Sequence, residues 1–356
     1  MASFAAGVAE VVFVVGEILP DIGEKPWHPP VGMRLGAAFF VRNDFPWLNQ
    51  YFGSQKLASV LSPGIGGIVS WGGRIPAKMA AAIARFRHLP HWYLEDGFLR
   101  SVGLGKTGAI PLSIVIDDLG LPVDAHRPSR LERLIEGAGE AGALGSAIGE
   151  QIVLNKLSKY NHLPHRPPRI APTSRRRILL VDQVVGDVSV GRALGSQASF
   201  ERMFADGLAS GAQCLIRTHP DVMAGLRKGY LTADAAAKGD AVLIDDAVSV
   251  ASILEIVDEV WTVSSQFGFD ALLRGIPVRC YAAPFYAGWG VTQDHFGVYT
   301  KAVLAGRRTK LRTVDQIAAA AFSLYPTYRD PTDWREINVF QAIELIVAQQ
   351  QAAARA

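Results

Sequence analysis

The chain has 356 residues and a mass of 38.4 kDa, and 49% of the residues are apolar and 19% charged. This is long enough for two domains with cores of their own, and it excludes a small disulfide-stapled scaffold, a disordered chain, a collagen and a coiled coil. The net charge of +3 is too small to predict nucleic-acid binding.

The cysteines and the N-terminus predict the cellular compartment of the protein. The two cysteines, Cys214 and Cys280, lie in apolar runs without a metal-binding spacing, which favours a reducing cytoplasm. The apolar N-terminus contains Glu10 and has no basic segment before it, which is not typical of a signal peptide, and no long uncharged apolar stretch follows. We expect a soluble cytoplasmic protein, with any membrane contact peripheral and at the inner face of the cytoplasmic membrane.

The first half contains one clear βαβ pattern. A strand at 67–71 is followed by a helical run at 77–87 and by a second strand at 92–97, which ends in acidic residues. The segment 159–177 is rich in proline and basic residues and has no apolar period, as expected of a linker between domains.

After the linker the alternation restarts and predicts a doubly wound α/β domain. The predicted strands are 177–184, 213–219, 241–246, 259–265 and 278–282, and the predicted helices are 198–210, 248–257 and 266–275, the last closed by Gly275. We therefore divide the chain into an N-terminal domain (1–165), a second domain (166–330) and a C-terminal helix (331–356) that packs back on the first.

Ligands of open α/β sheets bind beyond the carboxyl ends of the strands, because helix N-termini meet there. Polar side chains stand at those ends in this sequence: Glu95, Asp96, Asp182, Asp187, Ser189, His219, Ser264 and Ser265.

Each of these residues also has a structural interpretation. Ser264 and Ser265, with the N–H groups of Gln266 and the next residue, could hold a phosphate or could simply cap a helix. His219 could be a strand-end histidine bonded to backbone. Glu95 and Asp96 are adjacent on a strand, so they should point to opposite sides, one into a cleft and the other capping a turn or pairing with Arg100.

The remaining motifs predict neither a metal site nor one of the common nucleotide-binding folds. The pairs His88/His91 and His162/His165 enclose prolines and have no carboxylate at helical spacing, so metal binding is not expected. No dinucleotide or P-loop glycine motif is present. The acidic pairs at 117–118 and 245–246 are more typical of loop starts than of a metal clamp.

Several long strings together resemble one family: the capsule polysaccharide biosynthesis proteins of the KpsC type, which are retaining β-Kdo (3-deoxy-D-manno-oct-2-ulosonic acid) transferases. The strings are EDGFLRSVGLG (95–105), PLSIVIDDLGLPVDAHRPSRLE (111–132), VDQVVGDVSVG (181–191), THPDVMAGLRKGYL (218–231), VWTVSSQFGFDALLRG (260–275) and PFYAGWGVTQD (284–294).

The resemblance implies a GT-B architecture, in which two Rossmann-like domains face each other across a cleft and the second binds the nucleotide of CMP-Kdo. It implies three short motifs at Glu95-Asp96-Gly97, His219-Pro220 and Ser264-Ser265, and no metal or other cofactor. By the same carry-over, Asp187 would be the nucleophile of a double displacement, with Asp182 the competing candidate, and Glu95 or Asp96 the acceptor's base.

We also place the donor among residues of these strings and expect a glycan or lipid-linked glycan acceptor. The residues expected around the donor are His219, Ser264, Ser265, Gln266, Ser189, Arg100, Tyr286 and Trp289. A contact with the membrane or with a capsule-assembly complex would be an additional partner, and nucleic acid is not expected.

The sequence departs from the family in three ways. Many relatives carry two transferase modules in tandem, whereas this chain has room for one; Asp270 stands where the family usually has Glu; and residues 1–55 match only loosely. Two other functions stay open: an inverting CMP-sialic-acid type transferase, which shares the three short motifs, and an inactive GT-B-like scaffold of the capsule machinery.

Overall fold

The computed structural model describes residues 25–53, 56–103, 105, 108–218, 220–223, 225–231, 239 and 241–355. Two sheets divide these residues. The first domain contains β1 (Leu35–Ala37), α1 (Phe39–Asp44), α2 (Leu48–Tyr51), β2 (Ala58–Ser59), β3 (Gly67–Trp71), α3 (Ile75–Phe86), β4 (His91–Asp96), β5 (Ser113–Asp117), α4 (Arg130–Gly137) and α5 (Gly142–Leu154).

The second domain begins after an extended segment without helix or strand. It contains β6 (Arg177–Val181), α6 (Val188–Arg192), α7 (Gln197–Ala209), β7 (Gln213–Arg217), α8 (Pro220–Met223), β8 (Ala241–Ile244), α9 (Val250–Leu254), β9 (Glu259–Thr262), α10 (Phe267–Leu272), β10 (Val278–Cys280), β11 (Gln293–Asp294) and α11 (Val298–Val303). The chain ends with α12 (Val314–Ala319), a π-helix (Ala320–Leu324), β12 (Pro326–Arg329), β13 (Glu336–Ile337) and α13 (Val339–Arg355).

The second sheet is parallel throughout, in the order β11-β10-β9-β6-β7-β8. This confirms the predicted alternation, because parallel neighbours need crossover connections that the intervening helices supply. Gly275 adopts φ +69° just after α10, as the predicted helix end requires. The β6 and β9 strands are neighbours, so the segments that follow them meet at one edge of the sheet.

The first sheet is mixed, in the order β13-β12-β5-β4-β3-β1-β2. Its β3-α3-β4 unit is parallel and confirms the predicted βαβ pattern. By contrast, β5 runs antiparallel to β4, because the segment from 97 to 112 that joins them contains no crossover helix among its described residues. The Rossmann-like region is therefore the β2-β1-β3-β4 half of this sheet.

The C-terminal segment returns to the first domain earlier than the predicted boundary at 331. α12 packs against α5 so closely that a side chain at Gly145 would collide with the backbone of Asp315. β12 then pairs with β5, and β13 with β12, so the last two strands at one side of the first sheet come from the C-terminal segment. The predicted helix exists, but it begins at Val339, after these strands.

The two domains share one apolar core. Phe98 of the first domain lies 4.5 Å from Phe285 of the second, centroid to centroid, and Phe285 packs on Phe269 of α10. Charged groups add to this contact, because the buried Glu132 of α4 accepts hydrogen bonds from Arg307 and Arg308. The relative position of the domains is thus fixed by buried surface as well as by the linker.

Candidate active site between the domains

Gln183 joins the ends of two neighbouring strands of the second sheet. Its amide oxygen accepts hydrogen bonds from the N–H of Ser264 (3.0 Å) and from the Ser264 hydroxyl (3.1 Å). Its amide nitrogen lies 3.0 Å from the same hydroxyl and 3.4 Å from the Ser189 hydroxyl. The structure therefore brings Ser189 and Ser264 together through Gln183, which the sequence places at the same strand end as Asp182 but to which no role was assigned.

Ser265 is held from three sides. Its N–H donates to Oγ1 of Thr262 (3.1 Å), its hydroxyl accepts from the N–H of Phe267 (3.2 Å), and its carbonyl accepts from the hydroxyl of Tyr286 (2.5 Å). The Ser265 hydroxyl thus satisfies the first N–H group of α10, although the N-cap residue is Gln266. The side chain of Gln266 instead donates from Nε2 to the carbonyl of Phe98 in the first domain (2.8 Å).

Tyr286 and Trp289 are core residues, which corrects their assignment to the donor site. Both side chains are fully buried. The indole N–H of Trp289 donates to the carbonyl of Phe285, and the Tyr286 hydroxyl occupies the space that a side chain at Gly268 would need. Neither ring has a face left for a ligand, so Tyr286 affects the site only through the carbonyl of Ser265.

The variant Tyr286→Phe tests whether the Tyr286 hydroxyl has a structural role. We expect a loss of about 1 kcal/mol in the free energy of unfolding, because one buried hydrogen bond disappears and leaves the Ser265 carbonyl unpaired. Urea unfolding measures it, and the KM for the donor should stay within about twofold of the wild-type value. A large rise in KM with unchanged stability would instead mean that the hydroxyl touches the donor.

The two carboxylates at the end of β4 differ as predicted. Asp96 forms an ion pair with Arg100, 2.8 Å between Oδ1 and Nε. Arg100 is buried and also donates to the Ser101 hydroxyl and to the carbonyl of Ala109, so its guanidinium is committed within the protein. This corrects its assignment as a donor-binding residue.

Among the described residues, Glu95 forms no such ion pair. One carboxylate oxygen accepts from the N–H of Asp96 at 3.1 Å. Burial raises the pKa of Glu95, and the positive charge of Lys159 lowers it in part. A carboxylate that holds its proton more tightly than usual is suited to take a proton from a hydroxyl.

Lys159 is a charged group of the site that the sequence analysis did not identify. Burial alone would lower the pKa of Lys159, but the charges of Tyr160, Asp96 and Glu95 raise it. Lys159 thus places a positive charge beside the β4 carboxylates. The sequence gives no sign of this role, because Lys159 is the first of many basic residues in the linker segment 159–177.

Asp187 stands at the start of α6 and is partly exposed. Its Oδ1 accepts from the N–H of Ser189 at 2.9 Å and so caps the helix, while no donor among the described residues bonds to Oδ2. The cap orients the carboxylate, and the second oxygen remains for chemistry.

The helix that begins at Asp187 ends on the first domain. Arg192, in its last turn, forms an ion pair with Asp124 (2.7 Å) and donates to the carbonyl of Gly73 (2.7 Å). A side chain at Gly73 would collide with this guanidinium, and one at the preceding Gly72 would lie 3.5 Å from Glu95 Oε2. Because five helical residues span only about 7 Å, Asp187 and Glu95 belong to the same interdomain region.

Asp182 is the residue that directly follows β6 and is buried. Its Oδ1 accepts from the N–H groups of Gln183 (2.8 Å), Tyr230 (2.9 Å) and Leu231 (2.9 Å), and Oδ2 faces Gly229, where a side chain would not fit. Burial raises the pKa of Asp182 to about 6, although these hydrogen bonds lower it in part. Its geometry is that of an anchor for the turn at 228–231.

Because the pKa of Asp182 is raised, the free energy of unfolding of the protein should depend on pH. The native state binds this proton more tightly than the unfolded chain, so the stabilisation is present below about pH 4 and is lost as the pH rises through about 6. Asn cannot ionise. We expect Asp182→Asn to gain about 2 kcal/mol relative to the wild type between pH 4 and pH 8, measured by urea unfolding. Parallel pH profiles would contradict this prediction.

His219 lies outside the described residues, so its predicted role stays a prediction. The strand that precedes it, β7, is a neighbour of β6 in the parallel sheet. Within the described ranges, no group of three or more His, Cys, Asp or Glu side chains could hold a metal ion. The same ranges contain no helix of sufficient length and apolar character to cross a membrane.

Comparison with known proteins identifies the family. The family model described as "Capsule polysaccharide biosynthesis protein" matches residues 67–169 and 153–328. Among solved structures, the "Thermosulfurimonas dismutans KpsC, beta Kdo 2,4 transferase" is 33% identical with a TM-score of 0.78, over 90% of this chain and 99% of that chain. The beta Kdo 2,7 transferase of the same KpsC is 25% identical with a TM-score of 0.67, over 89% and 99%.

The curated relatives are longer. "Capsule polysaccharide modification protein LipA" of Neisseria meningitidis serogroup B is 38% identical over 288 residues, which are 78% of this chain and 41% of LipA. "Lipopolysaccharide-processing protein LpsZ" of Rhizobium meliloti is 34% identical over 336 residues, 88% of this chain and 71% of LpsZ. The chain thus spans about two fifths of the length of LipA. It has the GT-B fold and belongs to the capsule polysaccharide biosynthesis protein family.

Proposed function

We propose that this protein is a glycosyltransferase that moves Kdo from CMP-Kdo to a glycan or lipid-linked glycan acceptor in capsule polysaccharide assembly. The observation that carries the proposal is the similarity to the T. dismutans KpsC beta Kdo 2,4 transferase, which takes in nearly all of that solved chain. The carboxylates and hydroxyls at the facing strand ends support it.

In this proposal the second domain holds the donor. The hydroxyls of Ser264 and Ser189, linked through Gln183, are the polar groups that receive the CMP phosphate, and His219 joins them. Neutral donors fixed by neighbouring side chains stabilise the charge that develops on leaving CMP. The site needs no metal for this, so we expect transfer to continue in EDTA.

The transfer itself would proceed in two displacements. A carboxylate oxygen of Asp187 attacks the anomeric carbon of Kdo, and the bond to the CMP phosphate oxygen breaks, so that CMP leaves with the electron pair. Glu95 then takes the proton of an acceptor hydroxyl, whose oxygen attacks the same carbon and releases Asp187. Two inversions retain the configuration, and the exposure of Asp187 favours it over the buried Asp182 as nucleophile.

A direct assay tests the proposal. The full chain is incubated with CMP-Kdo and a panel of Kdo-terminated glycans and glycolipids, with and without EDTA, and the linkage of the product is read by NMR. A β-linked Kdo product in both conditions supports the proposal. An α-linked product would mean an inverting transferase instead, and hydrolysis and transfer both absent across the panel would favour the scaffold function.

Nucleotide binding can be measured separately from transfer. CMP should raise the melting temperature of the wild type, because a ligand that binds only the folded state stabilises it. We expect the rise to shrink to less than half in the variant Ser264→Ala. An equal rise in both proteins would remove Ser264 from the phosphate site.

A further inference from the structure

The crossover helix α3 has an apolar stripe on its outer side. Its inner side packs on the first sheet through Ala77, Ala80 and Ala84, which are buried. Ile75, Met79 and Phe86 are 73%, 60% and 86% exposed. Their spacing of four and seven residues places them in one line along the helix.

A loop extends this stripe at the carboxyl end of the helix. The guanidinium of Arg87 donates to the carbonyls of Val60 and Ser62 and so fixes the loop beside α3. Leu61, at the tip of that loop, is 73% exposed. Together they border an apolar groove of about 580 Å³, lined by Leu61, Pro63, Ala82, Ile83, Phe86 and Arg87. We name this groove and the residues Ile75, Met79 and Phe86 the α3 face.

The stretch of sequence that forms the α3 face carries charge of one sign. Between residues 45 and 94 the sequence contains no Asp or Glu, but it contains five Lys or Arg. Three of them are exposed on a line next to the apolar stripe: Arg74 at the N-cap of α3, and Lys78 and Arg85 on the helix. The whole chain is close to neutral, so this concentration of positive charge is local.

We propose that the α3 face docks on the surface of an anionic lipid bilayer. An amphipathic helix with large apolar side chains in line and Lys and Arg beside them binds the boundary between headgroups and acyl chains, by apolar burial and by attraction to anionic lipids. A soluble protein partner could cover the apolar stripe, but it would have to supply a matching acidic surface. The bilayer offers apolar depth and negative charge together.

The orientation of α3 gives the docking a consequence for the proposed transferase. Its first residues follow Gly72, where an added side chain would lie 3.5 Å from Glu95 Oε2, and Gly73, whose carbonyl accepts from Arg192. The apolar stripe therefore starts at the site and runs about 16 Å along the helix. A lipid-linked acceptor in the bilayer would present its glycan at the end of the stripe where Glu95 lies. This consequence rests on the proposed function, whereas the docking itself does not.

Vesicle sedimentation tests the docking without any transfer reaction. The full chain is mixed with phosphatidylcholine vesicles or with vesicles one third of which is phosphatidylglycerol. We expect binding to the anionic vesicles that weakens with salt and is at least about tenfold weaker to phosphatidylcholine. No difference between the two vesicle types would overturn the proposal.

Paired variants assign the surface. Met79→Ser/Phe86→Ser and Lys78→Glu/Arg85→Glu should each lower the affinity for anionic vesicles by about tenfold or more, without changing the melting temperature, since these side chains are exposed. The matched control is Phe39→Ser: Phe39 is 72% exposed on α1, which packs on the opposite side of the first sheet. Wild-type affinity in the Met79/Phe86 variant would overturn the proposal. So would a wild-type dimer that this variant makes monomeric, because the α3 face would then bind a second copy.

Discussion

Asp187→Asn should reduce the rate of Kdo transfer by about a thousandfold or more, because an amide cannot form the covalent bond to the anomeric carbon. Asn is chosen over Ala since it caps a helix as well as Asp does, so the hydrogen bond to the N–H of Ser189 survives. The variant should therefore unfold at nearly the wild-type urea concentration. A loss of rate without a loss of stability assigns the effect to chemistry.

Mass spectrometry of the intact protein shows the adduct itself. Wild-type protein exposed to CMP-Kdo without acceptor should gain the mass of one Kdo residue, and Asp187→Asn should gain none. The matched control is Asp182→Asn, which removes a carboxylate that lies buried under the turn at 228–231. If the adduct disappears in the Asp182 variant and persists in the Asp187 variant, the nucleophile is Asp182.

Glu95→Gln should lower kcat by about a hundredfold, because the acceptor hydroxyl loses its base in the second displacement. The first displacement needs no base, so the Kdo adduct should accumulate in this variant. Asp96→Asn is the control. It leaves the guanidinium of Arg100 without its ion pair and should lower stability more than it lowers kcat. Equal and small effects of both changes on kcat would mean that the end of β4 is structural.

The pH dependence gives a second measurement on Glu95. Since burial raises its pKa, the rate should fall on the acidic side at a higher pH than an ordinary carboxylate would cause. The residual activity of Glu95→Gln should lack this decline. An unchanged acidic limb in the variant would assign the limb to another group.

The sequence predicts the parts of this protein that local patterns determine. The βαβ unit at β3-α3-β4 and the parallel second sheet follow from apolar periodicity and from helix ends such as Gly275. The same patterns place Ser264 and Ser189 at adjoining strand ends. These features need only neighbours along the chain and the rule that ligands bind at the carboxyl edge.

The errors and omissions come from contacts between residues far apart in the sequence. The sequence predicts Tyr286 and Trp289 at the donor site, but both side chains complete a core shared by the two domains. Gln183 gains its role only when β9 lies beside β6, and Arg100 loses its proposed role because Asp96 holds it. Strand β12 pairs with β5 across more than 200 residues and carries β13 on its other side, and no local pattern predicts that pairing.

The return of the C-terminal segment to the first domain decides how relatives of this protein can be recombined. A chimera joined within the linker near residue 170 would have to pair β5 of one relative with β12 of the other. The exchangeable unit is the first domain together with the chain from 313 onward. Recombination between genes of this family, in the laboratory or in evolution, therefore needs two crossover points to transfer the first domain intact.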